Sequence, residues 1–416
     1  VTPLSVSGHL VRAFWRLIGR LLTPAVLLLL LWRRHKGKED AARWRERLGT
    51  DDTERPEGIL VWIHAVSVGE SLSVLPLIAA LRQRHPGWHL LLTTGTPASA
   101  AAMAAHLPPG VFHRYVPVDI PLAVDRFFSG WRPDLALFVE QELWPGLVLE
   151  LRSRMIPAVL LNARLSPRSA ARWRRLAPLA RLLYSAFDPV MAPGQSVAAR
   201  LESLGLQQVR RCEQLKMAAA PLVADPAALA EARSVCDGRP VLVAASLQPG
   251  EAAPLAEIHD RLVEQFPDLL TILVPRHPDR MGEWPEKLQA LPRRSAGAAL
   301  PPGGLHVADT MGELGLWYRL ATVAFIGGSL VPYGGHNPSE APRLGTPALI
   351  GPHYFNCRDL AETLCEVGVL EIAETPDDLC RRIAAHLAAP RRVTLPEAGR
   401  VLDEVISVIE KALMPG

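Results

Sequence analysis

Cysteine is scarce in this chain, and the five present, Cys212, Cys236, Cys357, Cys365 and Cys380, form no C-x-x-C pair. An odd, scattered set excludes a disulfide framework and a thiolate zinc site, and fits a reducing cytoplasm. Charge of one sign is missing too: 45 Lys and Arg stand against 42 Asp and Glu, for a formal net charge of +3. A chain so balanced is no polycation, and no nucleic-acid partner is expected. There is no long low-complexity tract, and 49% hydrophobic against 21% charged residues is the composition of a chain that folds throughout. No His or Asp stands at ligand spacing beside the acidic clusters, so no metal site is expected. Also absent is an uninterrupted apolar run of the roughly 20 residues that span a bilayer.

The apolar stretch that does exist lies near the start. Leu10 to Trp32 reads LVRAFWRLIGRLLTPAVLLLLLW, with Pro24 inside it and Arg33-Arg34-His35-Lys36 after it. Arg12, Arg16 and Arg20 recur every four residues and share one helical face, while Trp15, Leu17, Ile18, Leu21 and Leu22 occupy the rest. This pattern predicts a helix at a membrane surface, its basic face toward anionic headgroups and its Leu-rich turn in the acyl layer. Two other readings stand beside it. One is a single-span anchor with the basic cluster cytoplasmic; the other is a cleaved signal peptide, which lacks a small-residue cleavage site here.

With 416 residues the chain can form two domains with separate cores. From Gly58 strand-like and helix-like runs alternate: Ile59 to His64, then Ser71 to Arg84; Leu90 to Thr94, then Ala98 to His106; Val111 to Val116; Leu135 to Val139, then Pro145 to Arg154; Ala158 to Asn162, then Arg168 to Leu183. After Pro221 to Pro226 the rhythm restarts with Val241 to Ala245, Ala252 to Phe266, Leu269 to Val274 and Thr322 to Ile326. Continuous apolar strands separated by helices predict parallel sheets covered on both faces, hence two doubly wound α/β domains. Their boundaries are set at 1–40 for a membrane-anchor helix with its basic flank, 41–222 for a first Rossmann-like domain and 223–416 for a second. The helical pattern of Leu395 to Leu413 is of the kind that crosses back to a first domain.

The loops carry the chemistry. HAVSVGE (64–70) and the stretch Ser246 to Glu251 each run strand, serine, glycine, glutamate, helix, and such loops at the carboxyl ends of strands face a ligand crevice. Glu70 opens a helix whose start stabilises a carboxylate; it is either a cap or a general base. Glu140-Gln141-Glu142-Leu143-Trp144-Pro145 ends another strand with two carboxylates. Asn162-Ala163-Arg164 follows, and then Arg168, Arg172, Arg174, Arg175 and Arg181, either a solvated face or a wall for an anionic lipid phosphate. The stretch from Phe325 to Cys357 breaks its strand at Gly327-Gly328-Ser329, repeats a diglycine at Gly334-Gly335 and opens a helix carrying Glu340. Glycines let the backbone approach a ligand, free N–H groups favour phosphate, and Glu340 is placed to accept hydrogen bonds from ribose hydroxyls.

These strings, HAVSVGE, EQELWP, NARLS, PRHPDR (275–280), DTMGEL (309–314) and the glycine-rich stretch, resemble the Kdo transferases over roughly residues 10 to 412. Those are two-domain GT-B glycosyltransferases that move 3-deoxy-D-manno-octulosonic acid (Kdo) from CMP-Kdo to a lipid A precursor. The resemblance implies a GT-B fold with two domains facing a cleft, a site at the cytoplasmic face of the inner membrane, a lipid acceptor, and no cofactor beyond the nucleotide sugar. It implies Glu70 as the base that deprotonates the acceptor hydroxyl, in an inverting reaction. Ser67, Gly69, Glu140, Glu142, Asn162 and Arg164 fall on the acceptor side. Lys216, Ser246, Gly250, Glu251, Arg276, His277, Gly312, Glu313, Gly327, Gly328, Ser329, Gly335, Asn337 and Glu340 fall on the donor side, His277 also being readable as a structural hydrogen-bonding residue. Two loops depart from the family: Glu213-Gln214-Leu215-Lys216 stands for G-S-L-K, and Ser246 to Ala252 reads SLQPGEA for S-T-H-E-G-E-E. Altered donor loops beside an unaltered HAVSVGE leave open a paralogue with another activated sugar or lipid acceptor, and, from another class, a catalytically silent membrane-bound homologue.

Overall fold

The computed structural model describes residues 3–51, 53–104, 106–140, 143–215, 221–395 and 398–413. The chain divides into two compact units, Val1–Ala219 with Glu397–Gly416, and Ala220–Pro396. The helix Ala398–Leu413 therefore belongs to the first unit, and the domain expected at 223–416 loses its last helix. Val405, Ile406 and Ile409 of that helix enter the first unit's core, and Glu410 accepts from Arg84 and His85, both at 2.8 Å.

The first unit holds a seven-stranded parallel sheet: β1 (Leu60–His64), β2 (His89–Thr94), β3 (Val111–Tyr115), β4 (Leu135–Val139), β5 (Ala158–Leu161), β6 (Val190–Pro193) and β7 (Val209–Cys212), in the order β3-β2-β1-β4-β5-β6-β7. Its central strands are apolar throughout because both faces are covered. Leu60 and Trp62 of β1 enter one core with Phe127, Phe128 and Phe138, while Val61 and Ile63 enter the other with Leu77, Ile78 and Leu81. The second unit holds six parallel strands, β8 (Val241–Leu247), β9 (Leu270–Pro275), β10 (Gly304–Val307), β11 (Val323–Ile326), β12 (Ala348–Ile350) and β13 (Leu370–Ile372), in the order β10-β9-β8-β11-β12-β13. In both sheets the winding reverses at one place, between β1 and β4 and between β8 and β11. In open α/β sheets such reversals leave the crevice where ligands bind.

Two expected helices are each broken in two. Val68–Ser73 and Leu75–Arg84 replace Ser71 to Arg84, and Pro167–Arg175 and Ala177–Tyr184 replace Arg168 to Leu183. Each second helix has a proline, Pro76 or Pro178, in its first turn, where a missing N–H is tolerated and the preceding helix cannot continue through it.

The N-terminal helix Val6–His35 is long and apolar enough in composition to cross a bilayer, and Ser5 caps it by accepting from Gly8 N at 3.2 Å. Its orientation corrects the expectation for Arg12 and Arg16. Arg12 binds Glu150, Arg16 binds Asp125 in a two-pronged pair at 2.6 and 2.8 Å, and Trp15 Nε1 reaches Asp119 at 3.3 Å. Arg12, Trp15 and Arg16 thus turn toward their own domain, where the buried Glu150 and the partly exposed Asp119 and Asp125 accept from them. Gly19 lets the helix in, since a Cβ would lie 2.5 Å from Pro121. Val6, Leu10, Phe14, Leu17, Leu21 and Leu28, each more than half exposed, line the outward face.

Candidate active site

The loop after β1 is built by Glu70. Its Oε2 accepts from Val66 N at 2.8 Å and its Oε1 from the Ser67 hydroxyl at 2.7 Å, while Ser67 Oγ accepts from Glu70 N at 3.3 Å. This is a reciprocal capping arrangement, so the capping role is real. It also leaves the carboxylate half-exposed at the carboxyl end of a switch-point strand. Gly95 packs underneath: its N–H donates to Val66 O at 3.0 Å, and a Cβ there would lie 2.3 Å from Val66 Cγ1. At the end of the neighbouring strand, β4, Glu140 adopts φ 62°, and Asn162 after β5 adopts φ 52°. Left-handed backbone costs a glutamate on the order of 1 kcal/mol or more and clusters at functional sites. Arg164 Nη1 lies 3.6 Å from Glu140 Oε2, and the buried Oδ1 of Asn162 has no hydrogen-bond partner among the described residues. Glu142 lies outside the described residues. The helix Pro145–Ser153 that follows is capped by Asp119, which accepts from Gly146 and Leu147 N–H, both at 2.9 Å.

Arg168, Arg172, Arg174 and Arg175 are exposed on the helix Pro167–Arg175, and among the described residues none has a hydrogen bond or ion pair. Arg172 lines a surface cavity with Ser169, Trp173 and Leu176, of roughly 400 Å³.

In the second unit the loops after β8 and β11 are locked together. Glu251, fully buried, accepts from Gln248 N (2.8 Å), Gly328 N (2.6 Å), Ser329 N (2.9 Å) and Leu330 N (2.9 Å). The Ser329 hydroxyl donates to Ile326 O at 2.6 Å and accepts from Gly351 N at 2.9 Å. The N–H groups of Gly328 and Ser329, expected to receive phosphate, therefore already have an acceptor, and Glu251 and Ser329 are interior groups. Gly335 N–H folds back onto Gly328 O at 2.7 Å. Ser246 sits at a bulge with φ 58°, and Gly250 at φ 93°.

Around this knot stand the groups that remain outward. Arg276 is exposed, its backbone N–H on Leu247 O at 2.9 Å, and its charge acts on both His336 and Glu340. Burial pushes the Glu340 carboxyl up from its ordinary value, against a 3.2 Å hydrogen bond from Asn337 and the charges of Arg276 and Arg343. Burial, with Arg276 and His277 nearby, lowers His336. His336 Nε2 and the Gln248 side-chain amide lie 3.1 Å apart in a hydrogen bond whose direction follows the imidazole tautomer, and the buried Gln248 Oε1 has no partner among the described residues. Glu313 is tied elsewhere: Arg294 holds it at 3.0 and 3.3 Å, beside Gly312 at φ 84°. Lys216 lies outside the described residues. The role of His336 was missed in the sequence, and so was the four-way engagement of Glu251, because no local signal marks partners tens of residues away.

Two doubly wound parallel units, each with a switch point at its sheet's centre, are the GT-B architecture. The fold is shared with the UDP-GlcNAc 2-epimerase of Neisseria meningitidis, at a TM-score of 0.56 and 12% identity over 85% of this chain and 100% of that one. Residues 42–219 match the family described as 3-deoxy-D-manno-octulosonic-acid transferase (kdotransferase). The 3-deoxy-D-manno-octulosonic acid transferase of Haemophilus influenzae is 35% identical over 89% of this chain and 91% of its own length, and that of Bordetella pertussis 32% identical over 94% of each. The chain belongs to the Kdo transferase family.

Proposed function

We propose that this Kdo transferase moves Kdo from CMP-Kdo, with inversion, onto a lipid A precursor at the cytoplasmic face of the inner membrane. Glu70 accepts the proton of the acceptor hydroxyl as its oxygen attacks the anomeric carbon and CMP leaves. The observation that carries this reading is the position of Glu70, a half-exposed carboxylate held by two donors at the carboxyl end of a switch-point strand, one strand from Glu140. General-base help of this kind contributes about 10²–10⁴-fold.

The donor belongs to the second unit, where Arg276 meets the acidic sugar or the phosphate and Glu340 meets the ribose. The nucleotide sugar is the sole co-substrate, with no metal and no further cofactor. The exposed Arg168, Arg172, Arg174 and Arg175 receive the acceptor's anionic groups, since guanidinium forks match phosphate oxygens. The N-terminal helix lies in the membrane surface. Its outward stripe of Leu, Val and Phe supports this, and so does the cost of pulling Arg12 and Arg16 off their carboxylates into hydrocarbon.

The test is thermal stability of the purified protein with CMP, CDP, UDP, GDP or ADP, followed by transfer from CMP-Kdo to lipid A precursor. Binding to the folded state alone adds about 2.7 kcal/mol at a hundredfold excess over Kd. Stabilisation by CMP and a transferred Kdo are expected; stabilisation by UDP or GDP without CMP refutes the donor. One observation favours that second reading, a different activated sugar: Gln248, where the family has His, keeps a buried amide oxygen without a partner among the described residues.

A further inference from the structure

The glycine-rich loop after β11 already contains an anion of its own. We propose that Glu251 is a positioning residue for the donor, an internal carboxylate that templates Gly328, Ser329, Leu330 and Gln248. The nucleotide sugar is then held by the groups this template leaves outward, Arg276 and His336, and not by the loop N–H groups. The inference rests on the reading that the second unit binds the donor.

Glu251 is the residue before the helix Ala252–Leu262, yet its side chain makes no cap to that helix. It crosses instead to a loop 77 to 79 residues away. Three of its four donors come from that loop and the fourth from Gln248, at 2.6 to 2.9 Å. Among the described residues no Lys, Arg or His pairs with it, so the buried charge is offset by backbone dipoles alone, the way a turn of successive N–H groups holds a bound anion. The glycine at 327 follows from the same arrangement. A Cβ there would lie 2.9 Å from Glu251 Oε2 and 2.6 Å from Ser246 O. The N–H groups that read as a phosphate cradle are thus accounted for by Glu251, and the close-approach glycine by the carbonyls of Ala245 and Ser246 together with Glu251. The carboxylate also fixes Gln248 N, and the Gln248 side chain in turn fixes His336.

A true phosphate cradle would make Glu251 a competitor of the donor, so removing its charge would tighten nucleotide binding. A template predicts the opposite sign. The experiment uses the full chain as wild type, E251Q and E251A, with Tm and Kd measured for whichever of CMP, CDP, UDP, GDP or ADP stabilises the wild type, and donor KM and kcat in Kdo transfer. Both variants are expected to bind that nucleotide about tenfold more weakly or worse, with donor KM raised more than kcat is lowered. Formate is expected to raise the Tm of E251A, and to restore part of its donor affinity, while leaving the wild type unmoved. If E251A does not fold, E251Q still reports the sign. Equal or tighter nucleotide binding by E251Q overturns the proposal, as does an E251A that formate fails to stabilise. Which nucleotide binds the wild type tests the donor separately, and the formate result stands even if none does.

Discussion

Arg12 sets its guanidinium on one oxygen of Glu150, Nε at 3.0 Å and Nη2 at 2.8 Å, and the Glu150 side chain is only 5% exposed. Arg154 takes the other oxygen at 2.9 Å, and Arg16 approaches the first at 3.5 Å. The helix is therefore fastened by its polar face to the helix that follows the EQELWP motif. Removing Glu150 takes away the buried charge and leaves three partly exposed arginines that water can reach, so the cost falls below the about 3–5 kcal/mol of stranding a buried charge. Glu150→Ala is expected to release the helix, with amides of residues 8–20 exchanging faster and trypsin cutting sooner at Arg12 and Arg16. Unchanged exchange would mean that apolar contact alone holds it.

Glu70 caps its helix and is the base in the proposed reaction, and Glu70→Gln separates the two. An amide keeps one oxygen for Val66 N–H, and its NH2 can donate to a rotated Ser67 hydroxyl, so the cap survives while the proton acceptor is lost. Turnover is expected to fall about 10²–10⁴-fold with little change in Tm. Ser67→Ala is the complement: it loses a cap worth about 0.5–2 kcal/mol and keeps most of the turnover. Near-normal transfer by Glu70→Gln would leave Glu70 a cap and nothing more.

What was legible in the sequence was what depends on near neighbours. Ile59 to His64 reads as a buried strand because a run of apolar residues, Ile59 to Ile63, suits a two-sided core, and Glu70 reads as a helix-start carboxylate because its partners are Val66 and Ser67. Glu251 sits in the same strand-serine-glycine-glutamate pattern, yet its partners lie on another strand's loop, and the pattern carries no trace of them. Periodicity showed that Arg12 and Arg16 share a face, but whether that face meets lipid or protein depends on Asp125 and Glu150, more than a hundred residues on. The strands β6 and β7 escaped notice for a local reason. They are four residues each, one ends in proline, and the other is an edge with Arg210 and Arg211 exposed.

His64, at the end of β1, is fully buried against Trp62 and Phe138, with Nδ1 2.9 Å from Thr93 Oγ1. Burial pushes its pKa down to about 3 from 6.5, with the charge of Arg47 adding to the effect. Between those values the unfolded chain binds a proton that the folded chain does not, so stability present at neutral pH is lost as pH falls through 6.5 toward 3. From about pH 7.5 to about pH 5 this one residue accounts for about 2 kcal/mol. His64→Phe, which suits the aromatic neighbours, is expected to lose that much less than the wild type over the same interval, read from urea midpoints at each pH. Parallel losses in the two proteins would sink the assignment.

Arg47 connects the segment after the N-terminal helix to Glu70. Only 6% exposed, it meets Glu39 at 3.2 Å, Val116 O at 3.3 Å and Gly95 O; Gly95 N–H holds Val66 O, and Val66 N–H holds Glu70. Glu39 in turn accepts from Arg33 in the last turn of the helix, at 2.7 Å. A lysine keeps the charge but cannot reach three acceptors at once, so Arg47→Lys lets the Gly95 turn shift beneath Glu70. Misplacement of a catalytic group by about 1 Å costs on the order of 10²-fold. The expected outcome is a kcat lowered about tenfold to 10²-fold in protein still folded at the assay temperature, with donor KM unchanged because the second unit is untouched. A kcat at the wild-type level would show that the loop holds Glu70 without help from Arg47, and a rise in donor KM alone would place the effect of Arg47 outside the base.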